Sequence, residues 1–295
     1  MDIVIIPTYL RAEYLYLCLQ KLWETQHPGH KEFWVCEDRR ENDEHRHMLQ
    51  FQWTDEVLED FRGRLNIKKF LNKPHNFSGN SCNVMEAYKR AFNTDARFVY
   101  LVEDDVLVKP DFFEWHEAVQ NEVPDIMCSV AYRCSRNHEA RTDVIDPNAY
   151  FTTARDYASI GVCWLRERLG PVIRHANERY YSNQERYVGE VFPGNRFATD
   201  FSEQDGLIMR VMWETRGTTL WPYVPRSYHL GFYGYHRPNG RRPDGFWRQK
   251  LGQINSVISD SAQLKIAAPD FGDIEAYPQE PNGLLGTLVK LQHFD

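Results

Sequence analysis

Hydrophobic positions in the first hundred residues form short unbroken apolar runs separated by stretches with helical spacing. Ile3 to Ile6 is the first run; a Pro-Thr-Tyr turn follows, then Leu15, Leu19 and Leu22 on one helix face. Glu32 to Cys36 reads as a second strand, Glu41 to Asp60 as polar surface helix and loop, and Leu65 to Leu71 as a third strand. A loop with Pro74, Gly79 and several asparagines leads into a helix carrying Val84, Ala87, Tyr88 and Ala91 on one face. Phe98 to Val102 is then apolar throughout, as in a strand buried on both faces of a parallel sheet. Repeated β–α units of this kind predict an α/β fold with a mostly parallel central sheet flanked by helices.

The later pattern is less regular. Asp111 is placed to cap a helix from near Phe112 to Asn121, and Ile126 to Tyr132 reads as a strand. Polar, turn-rich sequence runs to Tyr157; Ser159 to Ala176 begins as a small-residue strand and passes into a helix. Gly161 ahead of Trp164 points to a tightly packed backbone beneath a pocket wall. Residues 177 to 201 lack periodicity and read as an acceptor-side loop. Ser202 and Asp205 have the spacing of a capping box ahead of Leu207, Ile208, Val211 and Met212, and Thr218 to Val224 is a further strand. Ser227 to Leu251 is punctuated by glycines and rich in His, Arg and aromatics, a composition suited to a lid whose cations neutralise a diphosphate.

The 295 residues are 42% hydrophobic, enough to bury a sizeable core in one large domain with excursions. A net charge of −7 argues against general affinity for nucleic acid. The six cysteines, Cys18, Cys36, Cys82, Cys128, Cys134 and Cys163, form no C-x-x-C pair and read as reduced, buried thiols. With no apolar run of spanning length and no basic region before the first strand, a soluble, cytoplasmic protein is expected.

Chemistry gathers behind the Phe98 to Val102 strand. Glu103, Asp104 and Asp105 follow it directly, at the carboxyl end where open α/β sheets bind ligands. An ordinary acidic turn is the competing reading. Three adjacent carboxylates repel one another, however, and hard oxygen ligands suit Mg²⁺ or Mn²⁺. Glu37 and Asp38, just past the second strand, are either a solvated turn or contacts to a nucleoside. Asp205 is either a helix cap or a rigidly held catalytic base.

These parts in order, IVIIPTY, CED, NFSGNSCNVMEAY, VEDDVLVKPDFFEW, GVCWL, SEQD and VPRSYHLGFYG, resemble the GT-A fold nucleotide-sugar glycosyltransferases. The metal-site segment is similar to that of the N-acetylglucosaminyltransferases that begin complex N-glycan branches. The resemblance implies that Asp105 ligates Mn²⁺ or Mg²⁺, that Asp104 reaches the metal through water, and that Glu103 and Asp104 contact the ribose or donor sugar. It further implies a nucleoside pocket lined by Pro7, Thr8, Arg11 and Asp38, with Asn83 and Arg237 also on the nucleotide sugar. Asp205 would be the general base, although Gln204 separates it from Glu203 and leaves Glu203 as an alternative; His229 or His236 would add a metal or phosphate contact.

The implied activity is metal-dependent, inverting transfer from a nucleoside-diphosphate sugar, a UDP-sugar first of all, to a hydroxyl of a glycan or lipid-linked sugar. His236, Arg237, Arg241, Arg242 and Arg248, interleaved with Tyr235, Phe246 and Trp247, also admit a hydroxymethylated DNA base as acceptor. A sugar nucleotidyltransferase would need a glycine-rich basic loop after the first strand, which IPTYLRAEY does not supply. A non-catalytic sugar-binding or assembly protein is the alternative outside enzymes. The organisation expected is a nucleotide-sugar-binding half at 1–110, an acceptor and catalytic half at 111–251 with its lid at 227–251, and a C-terminal tail at 252–295 packing on the domain.

Overall fold

A computed structural model of the chain describes residues 1–26, 28–39, 48–72, 79–132, 149–154, 156–194 and 202–229. The elements in order are β1 (Asp2–Thr8), α1 (Ala12–Trp23), β2 (Lys31–Asp38), α2 (Met48–Asp60), β3 (Ile67–Asn72), α3 (Asn80–Phe92) and β4 (Phe98–Leu101). Then come β5 (Val106–Val108), α4 (Phe112–Glu122), β6 (Cys128–Val130), β7 (Tyr150–Ala154), β8 (Val162–Leu165) and α5 (Gly170–Ile173). The series closes with α6 (Glu178–Ser182), α7 (Gln184–Val191), α8 (Gln204–Thr215), β9 (Thr218–Pro222) and β10 (Ser227–His229).

Eight strands form one sheet in the order β3-β2-β1-β4-β8-β6-β9-β7. The first four strands run parallel, as the β–α repeats predict, while β8 enters antiparallel to both β4 and β6. Alternate residues of the central strands feed two cores. Ile3, Ile5, Val99 and Leu101 pack with Val84, Tyr88, Trp164 and Ile208 on one face, whereas Val4, Ile6, Tyr100 and Val102 pack with Leu15, Leu19, Phe112 and Phe113 on the other. Burial on both faces is why β1 and β4 are apolar without alternation. The chain builds outward from β1 through β2 to β3, then returns to place β4 on the other side of β1. This reversal makes the carboxyl ends of β1 and β4 the topological switch point, the crevice where α/β sheets receive ligands.

A second, two-stranded ribbon pairs β5 with β10 antiparallel, setting His229 opposite Val106. The ribbon is packed tightly against β8. Gly161 has φ +69°, and a Cβ there would stand 2.9 Å from the Ser227 Cβ and 3.1 Å from the Phe112 ring. Only glycine meets both demands cheaply, in keeping with the close packing expected at this position.

Several expectations need correction. The first strand runs on through Pro7 and Thr8, so the turn begins at Tyr9. Asp111 does not cap α4; its carboxylate accepts from Arg226 Nε at 3.3 Å instead. Residues 177–201 are not simply a loop, since α6 and α7 occupy much of the stretch, each capped by an asparagine: Asn177 accepts from the Tyr180 N–H and Asn183 from the Arg186 N–H. β7 forms where only turns were expected. Cys18, Cys36, Cys82, Cys128 and Cys163 are buried and free. Cys134, the tail and nearly all of the proposed lid lie outside the described residues. Among the described residues no helix is long and apolar enough to cross a membrane.

Candidate active site

The β1–α1 connection turns on Leu10, whose φ of 53° is left-handed. For a residue with a Cβ this conformation costs about 1–2 kcal/mol, so the surrounding structure must hold it. The turn places Arg11 immediately before α1, with its backbone carbonyl accepting from the Tyr14 and Leu15 N–H groups at 3.1 and 3.0 Å. From there the guanidinium reaches across to the acids that follow β4. Arg11 Nε donates to Asp104 Oδ2 at 3.2 Å, Nη2 to Asp104 Oδ1, and Nη1 to Asp105 Oδ2 at 2.9 Å. Thr8, the last residue of β1, donates its hydroxyl to Asp104 Oδ2 at 2.7 Å. Thr8 and Arg11 therefore belong to the carboxylate cluster itself.

Asp105 is buried and faces His229, whose Nε2 lies 3.2 Å from Oδ2, a contact that follows from the β5–β10 pairing. The other oxygen, Asp105 Oδ1, is buried and has no hydrogen-bond partner among the described residues. Glu103 is half-buried and accepts from Asn80 Nδ2 at 3.2 Å at the start of α3. Burial pushes Asp105 up, but Arg11 and His229 outweigh it and hold this carboxyl well below the usual range. Burial, helped by the Asp105 charge, raises both Glu103 and Asp104.

α8 supplies a further carboxylate, Asp205. The expected capping box is absent: Glu203 precedes the helix, and neither Ser202 nor Asp205 closes a side-chain cap. Asp205 Oδ2 instead accepts from the Ser159 hydroxyl at 3.3 Å, and Oδ1 is buried without a partner among the described residues. Burial raises this carboxyl to about 7, against the lowering effect of Ser159. Its charge adds to the rise at Glu103, after burial and Asp105. Glu203 is exposed. Gln204, the residue between the two acids, fastens α8 to α3: Ser81 Oγ donates to Gln204 Oε1 at 2.8 Å and accepts from the Gln204 N–H at 3.1 Å. The clasp thus sits between Asn80, which holds Glu103, and Asp205.

The remaining expected residues are spread around this centre. Asp38 is buried at the end of β2 and accepts from the Gly79 N–H at 2.8 Å, next to the N-terminus of α3. Pro7 lies in β1 opposite Cys36. Asn83 is turned into the sheet, where its amide donates to the Cys36 carbonyl at 2.7 Å. Arg237 lies outside the described residues, as do Tyr235, His236, Arg241, Arg242, Phe246, Trp247 and Arg248. Sequence reasoning missed Ser159 and the Ser81–Gln204 clasp, because their partners are distant in the chain.

A divalent cation fits this donor set. Asp105 Oδ1 is an oxygen ligand in need of a partner, and the His229 imidazole stands at the same carboxylate. No group of three or more His, Cys, Asp or Glu is gathered for a metal among the described residues, so a bound ion would draw further ligands from elsewhere.

No family model and no curated protein matches the sequence. Among solved structures, residues 1–349 of TarS from S. aureus, in complex with UDP-GlcNAc, match with a TM-score of 0.51 at 17% identity, covering 90% of this chain and 68% of that one. GalNAc-T7 with UDP, GalNAc and Mn²⁺ matches with a TM-score of 0.51 at 11% identity, covering 88% of this chain and 48% of that one. The likeness is one of fold: a mixed α/β domain with a large central sheet flanked by helices, as in GT-A glycosyltransferase structures.

Proposed function

We propose that this protein transfers a sugar, a hexose or N-acetylhexosamine, from a nucleoside-diphosphate sugar to an acceptor hydroxyl, with inversion and with Mn²⁺ or Mg²⁺ bound. The observation that carries the proposal is Asp205: a carboxyl raised to about 7, with a buried open oxygen, next to Gln204, which Ser81 ties to α3 beside Asn80, the donor to Glu103. A general base works best when its pKa lies near the operating pH, because it is then both deprotonated and basic enough to take a proton.

The proposed roles are these. Asp38, the backbone at Gly79 and the end of β1 form the nucleoside side, with UDP the first candidate. Asp105 and His229 would hold the cation, which supplies charge to stabilise the departing diphosphate. Arg11, already a forked donor to carboxylates, suits phosphate oxygens equally. Glu103, half-buried, contacts the ribose or donor sugar, with Asp104 behind it on Thr8 and Arg11. Asp205 takes the proton of the acceptor hydroxyl as it attacks the anomeric carbon, and Ser159 holds the carboxylate in aim. Glu203, being exposed, is the weaker candidate for base. The acceptor is a hydroxyl-bearing glycan or lipid-linked sugar.

The test is a panel of nucleotide sugars incubated with and without Mn²⁺, reading release of free nucleoside diphosphate by wild type, Asp105→Ala and Asp205→Asn. Metal-dependent turnover of one donor, lost in Asp105→Ala, supports the reading. Neither turnover nor calorimetric binding of any donor with metal present would sink it.

A further inference from the structure

Arg11 engages three of the four oxygens of Asp104 and Asp105: both oxygens of the first and Oδ2 of the second. The pair thus has a counterion within the chain itself. A cation arriving alone would find Asp105 Oδ1 and His229 beside a fixed positive charge. The Arg11 side chain keeps 21% of its surface exposed, and Thr8 is an independent donor to Asp104 Oδ2.

Resting on the nucleotide-sugar reading above, we propose that Arg11 makes metal binding conditional on the nucleotide. In the free site Arg11 substitutes for the metal's charge on Asp104 and Asp105. When a diphosphate arrives, the fork exchanges carboxylate oxygens for phosphate oxygens, a trade its planar donors make with little loss. The aspartates are then open to the cation, which is also attracted by the phosphates. Because binding couplings are reciprocal, the metal tightens the nucleotide by the same factor that the nucleotide tightens the metal. The left-handed Leu10 sets the backbone from which Arg11 reaches the aspartates.

Calorimetric titration of Mn²⁺ into the full chain, alone and with saturating UDP or GDP, tests this directly. Wild type binds Mn²⁺ weakly alone and tightly with nucleotide. Arg11→Gln binds Mn²⁺ alone more tightly than wild type by about tenfold or more, and its coupling to nucleotide falls by a comparable factor. Arg11→Lys keeps the charge but not the fork, and falls between the two. It also serves as the variant of record if thermal melting shows that Arg11→Gln does not fold. Equal Mn²⁺ affinity in wild type with and without nucleotide, or no gain in either variant, overturns the proposal while leaving a metal–nucleotide site intact. Absence of Mn²⁺ binding by wild type with either nucleotide overturns the proposal and the donor-site reading together.

Discussion

Replacing Asp205 by Asn separates what the site costs the fold from what it contributes to chemistry. Folding carries this carboxyl from an ordinary value of 3.8 to about 7, chiefly by burial. A carboxyl raised in the folded state favours the protonated form. The folded protein therefore loses stability as pH climbs from about 4 to about 7, and the penalty stays constant above. At about 1.4 kcal/mol per pH unit, the full effect is roughly 4 kcal/mol. Asp205 is only partly shielded from solvent, so about half of that, ~2 kcal/mol, is the working figure. Asn keeps an oxygen for the Ser159 hydroxyl and carries no charge to desolvate. Urea unfolding of wild type and Asp205→Asn at a series of pH values from 4.5 to 8, at fixed ionic strength, should show a gap opening in favour of Asn up to pH 7 and level above it, while donor turnover is lost. A gap that does not change with pH, or an Asn variant less stable than wild type at pH 8, would refute the reasoning.

Three further outcomes follow from the same geometry. Gly161→Ala forces a Cβ into 2.9 Å contact with Ser227 at φ +69°; unfolding should show a loss of roughly 2–4 kcal/mol, and Mn²⁺ affinity with nucleotide should weaken as the strand bearing His229 shifts. Ser81→Ala leaves the buried Gln204 amide groups short of partners; a cost of about 1–3 kcal/mol in urea unfolding should accompany lower turnover with little change in donor affinity. Once a donor is identified, kcat/KM should rise with pH through about 7 as Asp205 loses its proton, and a flat profile from pH 5 to 9 would remove it as base.

Much of the first half of the fold is legible because burial leaves its mark on composition. β1 and β4 are buried on both faces and read as apolar runs, while α1 and α3 each show one apolar stripe. Pro7 misled the boundary of β1 for a physical reason. The Ile5 carbonyl accepts from the Val102 N–H, so Pro7, two residues on, faces the same side, beyond the last β1–β4 pair. Its missing N–H costs no ladder bond there. α6 and α7 escaped notice because each is short and buries only Tyr180 or Tyr187 and Val188, although Asn177 and Asn183 stood as cap signals. The antiparallel entry of β8 left no local trace, since strand direction is set by connections and not by residue pattern.

The candidate site divides in the same way. Acids after an apolar strand announce themselves, and Asp105, Asp104 and Glu103 stand where that pattern puts them. Their partners do not, because contacts across the switch point join residues far apart in the chain: Arg11 meets Asp104 over 93 positions and Ser81 meets Gln204 over 123. The capping box at Ser202 and Asp205 was spacing without geometry. Asp205 is turned toward Ser159, leaving the helix start to the Gln204 clasp.

The central claim, that Asp105 and His229 hold a cation for a nucleoside diphosphate at the carboxyl ends of β1 and β4, is tested most directly by anomalous diffraction from crystals grown with Mn²⁺ and UDP or GDP. The account predicts a manganese peak at Asp105, within reach of His229, with the diphosphate beside it and Arg11 drawn from the aspartates to the phosphates. A nucleotide bound with Arg11 still clamped on Asp104 and Asp105, or manganese located away from Asp105, would contradict it.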